Sequence, residues 1–127
     1  MDKLEKPYGF ELIMDLHDCD VSKFNRTRLQ EYFTKLCKAI DMKQCELYFW
    51  DDEGLPPEER QTSPYTKGTS AVQFILTSSV VVHALDLLKA IYINLFSCKK
   101  FDKKVVEQLT KEWFVAKKCR THFIERI

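Results

Sequence analysis

The stretch of sequence that decides the fold runs from residue 69 to residue 98 and reads TSAVQFILTSSVVVHALDLLKAIYINLFSC. It is the most apolar part of the chain, and it is rich in the β-branched and aromatic residues that favour strands. Serine, threonine, histidine and cysteine side chains are interspersed among them. A strand that buries a hydroxyl, an imidazole or a thiol has to provide each with a partner. We therefore look first in this stretch for the chemistry of the protein.

The pattern inside this stretch predicts three consecutive strands. Two of them cover residues 70–77 and 79–85, and the third covers residues 90–97 after a turn at residues 86–89. Too few helices separate these strands for a doubly wound parallel sheet, so an antiparallel sheet is predicted.

Helices and further strands flank the central stretch on both sides. Alternating apolar residues predict a strand at residues 9–16. Apolar residues at helical spacing predict a helix at residues 25–40, which Asn25, or Ser22 a turn earlier, can cap. The other predicted elements are a strand at residues 44–50, a helix that begins after Asp102, and a last strand in residues 118–127. The buried side of the second helix is predicted to consist of Val105, Val106, Leu109 and Trp113.

This order of elements predicts an α+β fold in a single domain that spans residues 1–127. The expected architecture is a two-layer sandwich, in which two main helices cover one face of an antiparallel sheet. The other face of the sheet would then be partly apolar and able to receive a second copy of the chain.

The composition argues against several classes of protein. Hydrophobic residues make up 45% and charged residues 31% of the chain, and the net charge of +1 comes from interleaved basic and acidic residues. Neither nucleic acid nor a membrane is therefore expected as a partner. Residues 1–6 lack the apolar segment of a signal peptide, and no run approaches the roughly 18 apolar residues of a membrane helix. Five cysteines without a C-x-x-C pair fit a cytoplasmic protein with reduced thiols.

Two further features suggest a site less specifically. The run of residues 17–20, His-Asp-Cys-Asp, has the composition of a metal site, but a turn rich in aspartate is the commoner explanation and no metal is expected. Residues 51–69 form the one long irregular segment, with prolines at 56, 57 and 64, and such loops are usually functional or mobile.

Ser78 and His83 have the residue types of a hydrolase triad, but their spacing does not support one. They are five positions apart, so on a flat strand they face opposite sides, and only a bend at residues 78–79 would bring them together. Each also has an ordinary structural explanation, as does Cys98, which can be a small buried hydrophobe.

The combined spacing of four polar residues is more specific than any one of them. Ser70 is followed after eight residues by Ser78, then after five by His83, and then after fifteen by Cys98, which ends a Phe-Ser-Cys sequence. With the Gly-x-x-Leu-x-x-Asp-Leu-x-x-Cys-Asp pattern at residues 9–20, this set resembles the small prokaryotic S-adenosylmethionine decarboxylases over nearly the whole chain.

The resemblance implies a pyruvoyl enzyme that cuts itself between Thr77 and Ser78. Ser78 would attack the carbonyl of Thr77 and become the pyruvoyl group, with His83 and Ser70 assisting the processing. The pyruvoyl carbonyl would form a Schiff base with the substrate and act as the electron sink for loss of CO2, while Cys98 donates a proton to the product. The resemblance also implies a homodimer and a role in supplying the aminopropyl donor for spermidine synthesis.

The family's substrate-contacting motif is changed in this chain. After the histidine the family usually has Thr-aromatic-Pro-Glu, whereas residues 84–87 here read Ala-Leu-Asp-Leu. The lost carboxylate removes charge-assisted hydrogen bonds to the ribose hydroxyls. Candidate replacements in substrate binding are Asp86, Tyr65, Phe49 and Trp50.

The changed motif leaves three functions open. S-adenosylmethionine is the leading substrate by resemblance, and arginine or ornithine is the enzymatic alternative. The alternative from another class is a non-processed homologue that serves as a binding or regulatory subunit.

Overall fold

The computed structural model describes residues 6–127 and confirms the predicted α+β fold. The expectation that no signal peptide is present was drawn from residues 1–6. Residues 1–5 of that segment lie outside the described residues. Six strands form one sheet, and two α-helices cover one face of it. The bounds are β1 Gly9–His17, α1 Arg26–Ala39, β2 Gln44–Trp50, β3 Gly68–Ile75, β4 Ser78–Leu85, β5 Ala90–Ser97, α2 Lys103–Phe114 and β6 Lys118–Arg126.

All neighbouring strands of the sheet are antiparallel, in the order β2-β3-β4-β5-β1-β6. The three strands of the central stretch form its middle, and β1 lies between β5 and β6. Successive side chains of a strand point to opposite faces. One face therefore packs against the helices in a single buried cluster, while the opposite face, here called the open face, is uncovered.

Both helices begin at the residues that the sequence indicates. Asn25 caps α1 by accepting a hydrogen bond from the backbone N–H of Arg28 at 2.9 Å, and Asp102 caps α2 through the N–H groups of Lys104 and Val105. These side chains satisfy N–H groups that have no partner within the helix. The buried residues of α1 are Leu29, Tyr32, Phe33, Leu36 and Cys37, which have the helical spacing of apolar residues on which the prediction of this helix rests.

The buried stripe of α2 differs from the prediction. Its buried residues are Val106, Thr110 and Phe114, whereas Val105 is 41% exposed and Leu109 and Trp113 are only partly buried. The buried set follows i, i+4 spacing and includes a threonine. This is tolerated because the Thr110 hydroxyl lies 2.7 Å from the hydroxyl of Tyr32 on α1.

The segment between β2 and β3 is tied to the start of α1. The Arg26 guanidinium donates to both carboxylate oxygens of Asp51 at 2.8 Å, and this contact holds the pKa of Asp51 below its usual value. The segment also contains a short 3-10 turn at Pro57–Glu59.

The described part of the chain was searched for membrane-spanning helices and for clusters of metal-ligating side chains. Across residues 6–127, no helix is long and apolar enough to cross a membrane. No group of three or more histidine, cysteine, aspartate or glutamate side chains in that range is arranged to hold a metal ion.

Gly68, at the start of β3, has no room for a side chain. A Cβ atom there would lie 1.8 Å from the carbonyl oxygen of Ala84 on β4. We expect Gly68→Ala to lower the free energy of unfolding by about 3 kcal/mol, measured by urea denaturation, because the paired backbones have to separate.

The matched control is Gly54→Ala. Gly54 has a φ of +86°, but no atom lies within 4 Å of the position that a Cβ atom would take, so only a conformational cost of about 1 kcal/mol is expected. Equal losses at the two positions would contradict the steric explanation.

Candidate active site

Thr77, the residue before Ser78, has an unfavourable backbone conformation. Leu76 and Thr77 connect β3 to β4 between the paired residues Ile75 and Ser78, and Thr77 has a φ of +57°. Left-handed backbone costs a residue with a Cβ about 1–2 kcal/mol, and β-branched residues tolerate it least. The pairing of two eight-residue strands on either side holds Thr77 in this conformation.

The Ser78 side chain is buried on the helix side of the sheet and is hydrogen-bonded. Its hydroxyl donates to the hydroxyl oxygen of Ser97, the residue that pairs with it on β5, at 2.8 Å. Ser97 is fully buried and also accepts the backbone N–H of Lys99 at 2.9 Å. Sequence reasoning gave Ser97 no role, because its contact with Ser78 depends on the strand register.

Cys98 brings a thiol to the same turn. It follows directly after β5, and its Sγ lies 3.0 Å from Oγ1 of Thr77. The Thr77 hydroxyl already donates to the Leu76 carbonyl at 2.7 Å, so it is placed to accept the thiol proton. Burial raises the pKa of Cys19 and of Cys37 to about 11, which keeps those two thiols protonated.

Ser70 and His83 form a second group on the open face. They pair across β3 and β4, and Ser70 Oγ lies 2.8 Å from His83 Nδ1. His83 is five residues from Ser78, or about 17 Å along a strand that rises roughly 3.4 Å per residue. β4 is a continuous strand from Ser78, so the two side chains face opposite sides, as the odd spacing predicts. The structure does not bring His83 to the Thr77–Ser78 peptide.

Two of the four candidate substrate-binding residues line a cavity, and the other two lie elsewhere. Phe49 and Trp50 help to line a cavity of about 140 Å³ that also contains Ser70 and His83. Trp50 pairs with Ser70 and is 59% exposed. Tyr65 lies exposed in the segment between β2 and β3, and Asp86 lies in the turn after β4; neither lines this cavity.

Asp86 nevertheless has an unusual environment. Its Oδ1 atom is buried without a hydrogen-bond partner among the described residues. Burial raises the pKa of the Asp86 carboxyl above its usual value, partly offset by Lys67.

Two cavities flank the Thr77–Ser78 junction on the two faces of the sheet. The cavity on the helix side, about 240 Å³, is lined by Ser78 itself together with Asp41, Met42, Lys43, Ile75, Leu76 and Lys99. The cavity on the open face, about 480 Å³, is lined by Glu11, Ser79, Val81, Asn94, Phe96 and Arg126. The second is large enough for a small ligand.

Glu11 organises the polar part of the cavity on the open face. Its carboxylate accepts hydrogen bonds from Asn94 Nδ2 at 3.0 Å and from an Arg126 terminal nitrogen at 2.8 Å. Sequence reasoning missed all three residues. They come together only because β1 lies between β5 and β6, and no local pattern signals that order.

Comparison with known proteins identifies one family. The family model described as S-adenosylmethionine decarboxylase matches residues 10–127. The crystal structure of the adenosylmethionine decarboxylase from Aquifex aeolicus VF5 superposes with a TM-score of 0.74 at 14% sequence identity, covering 95% of this chain and 92% of that one. At this identity the structural match shows a shared fold. No curated protein sequence gives a significant match.

Replacing Thr77 with glycine is predicted to stabilise the folded chain. The comparison is best made in a Ser78→Ala background, which lacks the nucleophilic hydroxyl. We expect Thr77→Gly to raise the free energy of unfolding by about 1 kcal/mol, because glycine adopts positive φ without a Cβ penalty. Urea denaturation measures the change.

Thr77→Val separates backbone strain from the hydroxyl contact with Cys98. Valine keeps the β-branched carbon and replaces the hydroxyl with a methyl group, so it should not relieve the backbone strain. A glycine variant no more stable than the valine variant would show that the backbone at residue 77 is not strained.

Proposed function

Because this chain belongs to the S-adenosylmethionine decarboxylase family, we propose that it is a self-processing, pyruvoyl-dependent decarboxylase with S-adenosylmethionine as its leading substrate. The observation that carries the proposal is the left-handed Thr77 directly before Ser78, with the Cys98 thiol 3.0 Å from the threonine hydroxyl. In the organism, the product would be the aminopropyl donor for spermidine synthesis.

Self-cleavage would begin with the Ser78 hydroxyl. Its oxygen attacks the carbonyl carbon of Thr77, the C–N bond breaks, and the hydroxyl proton passes to the amine nitrogen of Ser78, so that an ester replaces the peptide bond. Strain at Thr77 is relieved as the peptide bond opens, which lowers the barrier to this step.

The ester would then be removed by elimination. A base takes the Cα proton of residue 78, Thr77 leaves as a carboxylate, and a dehydroalanine remains at the new amino terminus. Water hydrolyses this group and releases ammonia, which leaves the pyruvoyl group on residues 78–127. Once the Ser78 oxygen has left with Thr77, its hydrogen bond to Ser97 is gone, and the cavity of about 240 Å³ lined by residue 78 and Lys99 offers a route for that water.

The residues around Ser78 fit the cofactor that this cleavage makes. The pyruvoyl group supplies an electrophilic carbonyl for the substrate's amine and an electron sink for loss of CO2. Cys98 would donate the proton that replaces CO2 on the α-carbon, because its thiol already lies at the junction.

The uncut hairpin does not support the processing role of Ser70 and His83 that the resemblance implies. They lie about 17 Å along β4 from Ser78 at the usual strand rise. Self-cleavage frees the start of β4 from Thr77, and the first residues of that strand can then leave the sheet. The geometry therefore supports an action of His83 and Ser70 after the chain is cut, near the aromatic cavity that contains Trp50.

The substrate assignment has one enzymatic alternative. Leu85 and Leu87 stand where the family usually has an aromatic residue and a glutamate, and Leu87 is largely exposed. Arginine or ornithine is therefore the second candidate substrate. Glu11 does not discriminate between S-adenosylmethionine and these two amino acids. Its carboxylate lines the cavity of about 480 Å³ beside the junction and is available to any of the three substrates.

A homodimer belongs to the proposal as well. The open face exposes large apolar side chains on the edge strand β2 and its neighbour, with Tyr48 61% and Phe74 46% exposed. Exposed apolar patches of this kind commonly mark interfaces, and a second copy of the chain is the partner that the family resemblance implies.

Release of labelled CO2 tests the proposal directly. The purified protein is incubated separately with carboxyl-labelled S-adenosylmethionine, arginine and ornithine. We expect the protein to release CO2 from one of the three substrates, and S-adenosylmethionine is the leading candidate. The Ser78→Ala variant, which cannot form the cofactor, should release none.

Cys98→Ala distinguishes the two stages of the proposed chemistry. It should leave self-cleavage intact while slowing CO2 release by roughly 10²- to 10⁴-fold, the usual contribution of a positioned general acid. Cys45→Ala, which alters an exposed thiol outside the site, is the control. No release from any of the three substrates would favour the non-processed binding or regulatory subunit instead.

A further inference from the structure

We propose that Ser97 is the positioning residue that holds the Ser78 hydroxyl for self-cleavage, an inference that rests on the proposed function. Ser97 lies directly opposite Ser78 in the β4–β5 pair, on the helix side of the sheet. Among the polar side chains at the junction, it is the one that contacts the nucleophile itself, at 2.8 Å.

The direction of the hydrogen bond between the two serines follows from the other partners of Ser97. The Ser97 hydroxyl has one proton, which is directed at the sulfur of Met42 at 3.7 Å. Its oxygen accepts the backbone N–H of Lys99 at 2.9 Å. The remaining lone pair accepts the Ser78 proton. Every hydrogen-bonding capacity of Ser97 is thus used, and its orientation is fixed.

This arrangement prepares the Ser78 oxygen for attack. With the hydroxyl proton held by Ser97, the lone pairs of the Ser78 oxygen point away from β5. Accepting that proton also polarises the O–H bond. A neutral serine is too weak a base to keep the proton, which passes to the Ser78 nitrogen as the C–N bond breaks. Ser97 therefore acts by orientation and not as a general base.

Burial makes this orientation durable. Ser97 is fully buried and Ser78 is 9% exposed, so water rarely competes for their hydrogen bond. If the Ser97 hydroxyl is removed, the Ser78 hydroxyl rotates freely and the Lys99 N–H loses its acceptor. The loss of one buried hydrogen bond at a reacting atom corresponds to about a tenfold to hundredfold slower reaction.

Self-cleavage rates of matched variants test the role of Ser97. Each chain is made in a cell-free reaction with a short pulse of labelled methionine, and precursor loss is followed on denaturing gels. All three methionines lie in residues 1–77, so the label reports the precursor and the first fragment. We expect Ser97→Ala to slow cleavage tenfold to hundredfold and Ser97→Thr, which keeps the hydroxyl, to restore it.

Thr110→Ala controls for a general loss of stability. It removes another fully buried hydroxyl, one bonded to Tyr32 at 2.7 Å and absent from both cavities at the junction. It should lower the free energy of unfolding by a similar amount and leave the cleavage rate unchanged. If both variants slow cleavage equally, the effect is structural and the role of Ser97 is refuted.

Hydroxylamine identifies the step at which Ser97 acts. It cleaves the ester, so it accelerates fragment formation only in a variant that reaches the ester and stalls there. We expect no acceleration for Ser97→Ala, whose defect lies in forming the ester. An accumulated, hydroxylamine-sensitive ester would overturn the inference, as would equal rates for Ser97→Ala and the natural chain. An uncleaved natural chain would overturn the proposed function as well.

Discussion

The structure depends most on the pairing of β3 with β4 up to Ile75 and Ser78, which leaves only Leu76 and Thr77 to reverse the chain. Two-residue turns that match the twist of the strands normally have positive φ at their first central residue, usually a glycine or an asparagine. Here the positive φ falls on Thr77 instead. The register of two long strands thus imposes an unfavourable backbone on the residue whose carbonyl precedes Ser78. The same register aligns Ser78 with β5 and therefore with Ser97.

The alternation of side chains across the sheet separates the chemistry into two places. Ser78, Ser97 and the Met42 sulfur lie on the helix side, where burial protects their hydrogen bonds. Ser70 and His83 lie on the open face, beside exposed aromatic rings. Such a division suits a chain that acts in two stages, a water-protected rearrangement of its own backbone followed by reaction with a ligand that arrives from solvent.

The sequence predicted the parts of the fold that depend on local patterns. The caps at Asn25 and Asp102, the presence of three central strands and the α+β class follow from residue type and periodicity. The bounds at the first hairpin were wrong: the strand predicted at residues 70–77 ends at Ile75, and β4 begins at Ser78. Of the predicted stripe of α2 only Val106 is buried, and Thr110 was missed because the burial of a threonine depends on a partner 78 residues away. Likewise, Ser97, Glu11 and Arg126 gained their roles only from register and strand order, which single-sequence periodicity does not encode. The spacing of Ser70, Ser78, His83 and Cys98 indicated the family, but not the distance that separates Ser78 from His83.

The intact mass of the purified natural chain under denaturing conditions tests most directly whether the Thr77–Ser78 junction is a self-cleavage site. The predicted result is two fragments, residues 1–77 and residues 78–127, with the second blocked at its amino terminus by a pyruvoyl group. A single 127-residue chain that remains intact after long incubation would contradict it. The strained turn would then be a structural feature of a protein that binds without decarboxylating.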